Sequence, residues 1–215
     1  GQSARKSVDY ILLDTKYGRD IGKNWNLFTA LNFQSQFGKG YKYDVERPDG
    51  SIYDSLVSKF MSPAFLTSSW GAEWKPKDFF SLRLAPFAPR FTFVLDDDIA
   101  GREVMPGEGP YGLDIGKNVR TEWLAFQAFA DFNKDLSEHV NLKWKYLLFV
   151  NYQNINPENW DHRLDLTLST SVIKYVSFQF GGILIYDRDQ DEGVQLNQFL
   201  NIGVSYNFQN YKDDE

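Results

Sequence analysis

An acidic stretch near the C-terminus, Asp-Arg-Asp-Gln-Asp-Glu-Gly, has the spacing best suited to a metal ion. Asp187, Asp189 and Asp191 match the D-x-D-x-D start of a calcium loop, in which alternate carboxylates converge on one cation. A full EF-hand needs Gly at the sixth position and Glu at the twelfth, where this chain has Glu192 and Gln198. The stretch therefore indicates either an adaptable calcium site or a solvated acidic loop.

Few residues could carry nucleophilic or acid–base catalysis. The chain has no Cys, two His and no G-x-S-x-G motif. His139 and His162 fall at opposite ends of neighbouring predicted strands, so they cannot share a metal site or a triad. A hydrolase would have to centre on His162, which is flanked by Asp161 and Arg163. We expect a protein that is not an enzyme and that uses no cofactor.

Composition narrows the class of protein and its partners. A net charge of −6 without a basic cluster argues against nucleic acid as a partner. No apolar run approaches 18 residues, so the sequence predicts no transmembrane helix. Aromatic residues make up 17% of the chain, which is typical of a barrel with aromatic girdles at both membrane interfaces.

The clearest structural pattern runs from Asp161 to Tyr186. Apolar and polar residues alternate along two arms that flank a break at Ile173-Lys174. Since successive strand side chains point to opposite faces, each arm has one apolar and one polar face. Each arm has about ten residues or more, the length that a tilted strand needs to cross a bilayer. The pattern is typical of a membrane-spanning β-hairpin.

Similar alternation predicts nine strands in all. Beside the two arms of this hairpin, they cover Lys6–Tyr17, Asn24–Phe37, Phe60–Trp74, Phe79–Leu95 with a bulge or kink at Pro86 and Pro89, Val119–Phe132, His139–Tyr152 and Val194–Phe208. The connections are alternately short and long. The short ones are Gly18–Lys23, Lys75–Asp78, Asn133–Glu138 and Ile173-Lys174, and the long ones are Gly38–Ser58, Asp96–Lys117, Gln153–Trp160 and Asp187–Gly193.

These strands predict an all-β fold, an antiparallel transmembrane β-barrel over residues 1–208 with a polar tail at residues 209–215. Outer-membrane barrels have short periplasmic turns and longer extracellular loops, so the turn at Ile173-Lys174 is expected on the periplasmic side. The first strand would then start outside the cell. Because bacterial single-chain barrels have an even number of strands, we expect further strands before Gly1 and ten or twelve in the complete barrel.

Strand parity assigns the two faces of the barrel. The polar side chains expected to face the lumen are Asn32, Gln34, Gln36, Lys143, Lys145, Arg163, Asp165, Thr167 and Gln179. The apolar side chains expected to face lipid are Leu27, Leu31, Leu142, Trp144, Leu164, Leu166, Leu168, Phe178, Phe180, Leu200, Ile202 and Val204.

The polar lumen has two interpretations. Its side chains either form a network of ion pairs and hydrogen bonds that plugs a narrow barrel, or they line a pore. In the plugged interpretation, Lys143 and Lys145 face Asp165 and Glu122 and neutralise the buried charge.

Several segments, in order, resemble one known family. They are SVDYILLDTKYG, WNLFTALNFQSQFGKGY, MSPAFLTSSWGAEWKPKDFFSLRLAPF, FTFVLDD, NVRTEW, FGGILIYD and LNIGVSYNF. Together they are similar to the DUF3078 family, uncharacterised outer-membrane proteins of Bacteroidota. The resemblance implies a bacterial outer-membrane β-barrel, with further strands before Ser7 and no established catalytic residue to transfer.

The sequence and the resemblance together predict an integral outer-membrane β-barrel that acts as a structural or accessory subunit of an outer-membrane assembly. The alternatives are a narrow channel or uptake protein for small solutes, and an outer-membrane hydrolase. Membrane lipids with lipopolysaccharide, and other outer-membrane proteins, are the expected partners.

Overall fold

The computed structural model describes residues 9, 11–46, 49–104, 107–173, 176–189 and 193–204, and the fold is all-β. Within these residues the strands are β1 (Ile11–Gly22), β2 (Trp25–Ser35), β3 (Gly40–Glu46), β4 (Ile52–Ser58), β5 (Ala64–Lys77), β6 (Phe80–Phe87), β7 (Arg90–Phe93), β8 (Val119–Glu122), β9 (Ala125–Ser137), β10 (Val140–Asn151), β11 (Asp161–Ile173), β12 (Val176–Tyr186) and β13 (Gln195–Val204). One short α-helix, α1 (Asp97–Ala100), lies between β7 and β8, and 3-10 turns cover Pro110–Gly112 and Pro157–Asn159.

One antiparallel sheet contains all of these strands except β3 and β4. Its order is β1-β2-β5-β6-β9-β10-β11-β12-β13, and β7 and β8 extend it beside β5. If β6 with β7, and β8 with β9, are each counted as one interrupted strand, the sheet is a meander of nine strands, as the sequence predicts. Strands β1 and β13 end the order, and no pairing joins them within the described part of the chain.

The faces of the sheet follow from its register. Residues paired directly across antiparallel strands point to the same face, so Trp144 shares one face with Phe132 and Leu166. Lys145 shares the other face with Asp131 and Asp165. Side chains from nine strands on this second face line one cavity, so the sheet curves around it. We call the cavity side the concave face and the opposite side the convex face.

The strand predicted over Phe79–Leu95 is interrupted where its prolines predict. β6 ends at Phe87 and β7 begins at Arg90, because proline has no N–H with which to continue the ladder. The two halves take different partners, β9 for β6 and β8 for β7. The break brings Arg90 onto the concave face.

Two predicted turns are wrong in position. Lys6–Tyr17 was expected to end before a turn at Gly18–Lys23, but β1 continues to Gly22 and the turn is at Lys23-Asn24. The sequence predicts a turn at Gly18–Lys23 because this stretch contains Gly18 and Gly22. In the structure, Gly18 pairs with Phe28 in the ladder between β1 and β2. The turn at Asn133–Glu138 is likewise shorter, since β9 runs to Ser137.

A third shift affects β5, which continues to Lys77 instead of ending at Trp74, so the turn predicted from Lys75 begins only at Asp78. The strand predicted over Val194–Phe208 corresponds to β13 as far as Val204. Residues 205–208 and the polar tail lie outside the described residues.

The prediction of a long polar loop over Gly38–Ser58 is also wrong, because this segment is a hairpin. β3 and β4 form a separate two-stranded sheet whose register shifts twice, which explains why alternation is weak in the sequence. The hairpin lies at the same end of the main sheet as the loop of residues 96–117 and packs against it.

The apolar core is divided between the concave face and this loop end. A first cluster contains Phe28, Ala30, Ala85, Ala88, Ala125 and Phe149. A second, formed by Val94, Ile99, Ala100 and Leu113 with Leu56 and Tyr111 packed against it, joins the loop to the hairpin. This loop and the hairpin are therefore built around a small core of their own.

The described residues contain no helix with the length and apolar character needed to span a membrane.

Gly71 is the glycine whose replacement should most disturb the sheet. A Cβ at this position would lie 1.9 Å from the carbonyl oxygen of Leu84 and 2.7 Å from the Cα of Ala85. Gly71→Ala should therefore lower the free energy of unfolding by about 1–3 kcal/mol, measured by urea denaturation. Gly22→Ala is the control, because nothing lies within 4 Å of its Cβ. Equal stability of the two variants would contradict the β5–β6 packing.

Candidate functional site: a charged cavity on the concave face

A cavity of about 260 Å³ lies on the concave face. Its lining comes from β1, β2, β5, β6, β7, β9, β10, β11 and β12, with Asp187 just beyond β12. Alternation along each strand sends every second side chain into this space, and these include charged, polar and apolar groups. The cavity is therefore the place where the polar half of the sheet converges.

Arg90 and Asp161 form the most enclosed ion pair of the cavity. Arg90 Nη1 donates to Asp161 Oδ2 at 2.5 Å, and the two side chains are 12% and 20% exposed. The guanidinium also stacks on Phe149, with Cζ 3.3 Å from the ring centroid. Arg90 Nε is buried and has no hydrogen-bond partner among the described residues.

A second ion pair lies beside the first, on β11. Arg163 Nε donates to both carboxylate oxygens of Asp165, at 3.0 and 3.2 Å. Asp165 is therefore paired by a neighbour on its own strand, although Lys145 stands opposite it in the register.

Glu122 is likewise held by other groups than those predicted. It accepts from Arg120 at 3.2 Å and from Asn151 at 2.9 Å. The expectation that Lys143 and Lys145 neutralise Asp165 and Glu122 is therefore wrong. Arg163 pairs with Asp165, and Arg120 pairs with Glu122.

Further toward the turns, a buried carboxylate is held by two lysines. Glu73 is 3% exposed, with Lys16 Nζ at 2.5 Å and Lys75 Nζ at 3.3 Å. Arg83 is opposite Glu73 in the register, but its guanidinium lies over the ring of Phe129, 4.1 Å from the centroid. The concave face therefore carries charge along its whole length.

The structure places the residues predicted for the lumen as follows. Those that line the cavity are Asn32, Gln34, Lys145, Arg163 and Asp165. Lys143, Thr167 and Gln179 have the same parity on their strands but lie outside the cavity lining. Gln36 lies just beyond β2, where its Oε1 accepts from Ser58 Oγ at 2.5 Å.

Sequence reasoning did not name Asp14, Arg83 and Arg90 at all, and it named Asp161 and Asp187, which also line the cavity, only for other sites. Asp14 lay in the predicted strand with the least regular alternation. Arg90 lay just after the two prolines, where the parity resets. Arg83 could have been found, since it alternates with Leu82 and Leu84 in a regular stretch.

The twelve residues predicted to face lipid have the parity of the convex face. Leu166 is 42% exposed and Val204 is 77% exposed in the isolated chain. Contact with lipid itself stays a prediction at these positions.

The acidic stretch predicted as a candidate calcium site forms other contacts. Asp189 forms an ion pair with Arg120, and Asp187 Oδ1 accepts from the amide of Asp189 at 3.0 Å. Asp191 lies outside the described residues. Within those residues no three His, Asp or Glu side chains are grouped closely enough to hold a metal ion.

The two histidines lie at opposite ends of the β10–β11 pair. His139 is in the turn before β10, and Ser171 Oγ is 3.4 Å from its Nδ1. His162 is near the start of β11, with Tyr146 Oη 2.7 Å from its Nδ1. The rings of Trp160 and Tyr186 flank His162. These ring and hydrogen-bond contacts of His162 are all with aromatic side chains.

The loop end is tied together by polar contacts. Lys59 donates to Asp96 at 2.8 Å, and this hydrogen bond holds the pKa of the Asp96 carboxyl below its usual value. Tyr111 Oη donates to the carbonyl of Val57 at 2.7 Å, and burial raises the pKa of Tyr111 to about 12. Tyr111 therefore stays protonated as a hydrogen-bond donor at neutral pH.

Fold and cavity together define an all-β protein, built on a curved antiparallel sheet with a charged concave face. Residues 1–41 match the family described as "Protein of unknown function (DUF3078)", and this match supports membership of the chain in the DUF3078 family. The family indicated by the sequence motifs is thus supported over residues 1–41. Comparisons with curated proteins and with solved structures give no match.

The ion pair between Arg90 and Asp161 should contribute measurably to stability. Asp161→Asn leaves an enclosed guanidinium without its carboxylate, so we expect a loss of about 1–3 kcal/mol in the free energy of unfolding. The control is Glu158→Gln, which breaks the exposed pair with Arg188, at 3.0 Å, and should change stability by about 0.5 kcal/mol or less. Urea denaturation of both variants measures the difference, and equal losses would contradict the enclosed site.

Proposed function

We propose that this chain forms part of an integral outer-membrane β-barrel whose convex face contacts lipid and which serves as a non-enzymatic structural or accessory subunit. The observation that carries the proposal is a row of aromatic side chains across five strands of the convex face. It consists of Trp25, Trp74, Phe80, Trp144 and Phe132, and in this order the ring centroids of neighbours lie 5.6–6.3 Å apart. Such a row is typical of the girdle at a membrane interface.

A second aromatic group lies at the loop end of the same face. Phe91 packs edge-on against Trp123, with ring centroids 5.3 Å apart, and Phe93 stacks beside it. Phe91 is opposite Leu66 on β5, and Trp74 lies eight residues further along that strand. Those eight residues span about 27 Å of strand, or about 20 Å of height at a tilt near 40°. This height approaches the apolar band of an outer-membrane barrel, about 25 Å.

The concave face favours a structural role over a transport role. It carries the ion pairs Lys16–Glu73, Arg90–Asp161 and Arg163–Asp165, and Phe28 and Phe149 belong to a buried cluster on the same side. A face filled in this way suits a narrow barrel that side chains plug. The bacterial outer membrane, in Bacteroidota, is the location that the family resemblance supports. Lipids, lipopolysaccharide and other outer-membrane proteins are the partners we propose.

A narrow uptake protein for small solutes is the second candidate, because a cavity of about 260 Å³ persists among the paired charges. Recordings in planar bilayers separate the two roles. Discrete conductance steps favour transport, and a silent bilayer with inserted protein favours a structural subunit.

Tryptophan quenching tests the membrane location directly. In vesicles of brominated phospholipid, the fluorescence of Trp25, Trp74 and Trp144 should be strongly quenched, because their rings lie on the convex face. Vesicles of the same lipid without bromine are the control. Equal fluorescence in both would contradict lipid contact.

Substitution at two adjacent positions tests the facing assignment. Arg at Leu166, near the middle of the convex face, should cost about 2–4 kcal/mol in vesicles, because the charge would lie in hydrocarbon. Arg at Thr167 should cost less, because that side chain shares the polar parity of Arg163 and Asp165. Urea denaturation in vesicles measures the loss of unfolding free energy for both variants. Equal losses at the two positions would contradict the assignment of the two faces.

A further inference from the structure

A polar row crosses the concave face from β1 to β7. The strand register pairs Asp14 with Asn32, Asn32 with Thr67, and Thr67 with Arg90. Directly paired residues point to the same face, and all four line the cavity. The row therefore has a carboxylate at one end, a guanidinium at the other, and an amide and a hydroxyl between them.

The Arg90 end of the row has donors to spare. Nη1 is bound to Asp161 and the guanidinium face lies on Phe149, but the buried Nε has no acceptor among the described residues. Nε has almost no accessible surface, so a ligand oxygen would reach this guanidinium at Nη2, which has no acceptor among the described residues. Arg83 lines the same cavity and makes no ion pair with the described residues. Two such guanidinium groups suit a carboxylate.

The Asp14 end offers the opposite charge. Its carboxylate is exposed and forms no hydrogen bond or ion pair within the part of the chain that the structure describes. Three strand spacings, about 14 Å, separate the backbones of Asp14 and Arg90, and the long arginine side chain occupies part of that distance. The volume of about 260 Å³ lies just below the usual range for small-molecule pockets, about 300–1,000 Å³. The space therefore suits a short solute.

The remaining charges of the cavity do not favour a plain anion. Lys145 lies between Asp131 and Asp165 in the register, so carboxylates flank its ammonium group. Four basic and four acidic side chains line the cavity: Arg83, Arg90, Lys145 and Arg163, and Asp14, Asp161, Asp165 and Asp187. The cavity therefore has equal numbers of acidic and basic side chains, with Asp14 and Arg90 at opposite ends of the polar row. This arrangement favours a ligand that carries one positive and one negative charge.

We propose that this cavity binds a small zwitterion, an amino acid or short peptide. Its carboxylate accepts from Arg90 Nη2 and from Arg83, and its ammonium group donates to Asp14. Asn32 and Thr67 supply hydrogen bonds to the middle of the ligand. The inference goes beyond the membrane role and depends only on the cavity.

Calorimetric titration of the whole chain in detergent tests the inference with three probes. Glycylglycine carries both charges, its N-acetyl derivative lacks the ammonium, and its C-terminal amide lacks the carboxylate. Glycylglycine should bind, and each capped probe should bind about tenfold more weakly or worse, because one charged contact is lost. No heat with glycylglycine, or equal affinity for all three probes, would overturn the proposal.

Two variants assign the ends of the ligand. Arg90→Lys keeps a positive charge near Asp161 but removes Nη2, so it should weaken glycylglycine binding and leave the amide probe unchanged. Asp14→Asn should weaken glycylglycine and leave the N-acetyl probe unchanged. Arg19→Gln removes an exposed charge outside the cavity and should leave every affinity unchanged.

Circular dichroism identifies any variant that fails to fold. If Arg90→Lys does fail, Arg83→Gln tests the same end of the ligand. Wild-type affinity for glycylglycine in folded Asp14→Asn, or in the arginine variant, would also overturn the assignment. Quenching by brominated lipid reports on the tryptophans of the convex face. Its outcome is therefore independent of ligand binding in the cavity.

Discussion

The structure depends on the register of neighbouring antiparallel strands. Because strand side chains alternate, a shift of one residue would exchange the two faces of a strand. The register keeps Trp144 beside Leu166 on one face and Lys145 beside Asp165 on the other. Where β6 gives way to β7, the proline break changes the partner strands and brings Arg90 to the concave side. The charged cavity and the aromatic row both follow from this constraint.

The concave face illustrates how buried charge is tolerated. Glu73 is almost completely enclosed, yet two lysines lie within ion-pair distance of it. Arg90 combines a carboxylate on its edge with an aromatic ring on its face. Removing charges from water is costly, and only partners with good geometry offset that cost. The pairs therefore constrain how the strands can be arranged, whether or not they add net stability.

The two ends of the sheet differ in construction. At one end the strands are joined by tight turns, such as the one at Lys23-Asn24. At the other end the hairpin of β3 and β4 packs with the loop of residues 96–117 over a small apolar core. Lys59 and Tyr111 fasten these segments through hydrogen bonds. This asymmetry matches the short turns and long loops of outer-membrane barrels, the class in which we place the proposed function.

How far the sequence alone determined this protein depends on the range of the interaction involved. Alternation is a local property, so the all-β class, the nine-strand meander and the parity of residues such as Leu166 and Arg163 could be read from the chain. Turn positions were less certain, because Gly18 fits both a strand and a turn. The β3–β4 hairpin escaped notice because its irregular register blurs the alternation.

The partners of each charge could not be read from the chain in the same way. Arg90 and Asp161 are 71 residues apart, and nothing local in either segment indicates the other. The row from Asp14 to Arg90 exists only because four strands lie in one particular register. The sequence determined which residues share a face. Only the tertiary structure decided which of them meet, because curvature and register are properties of the whole sheet.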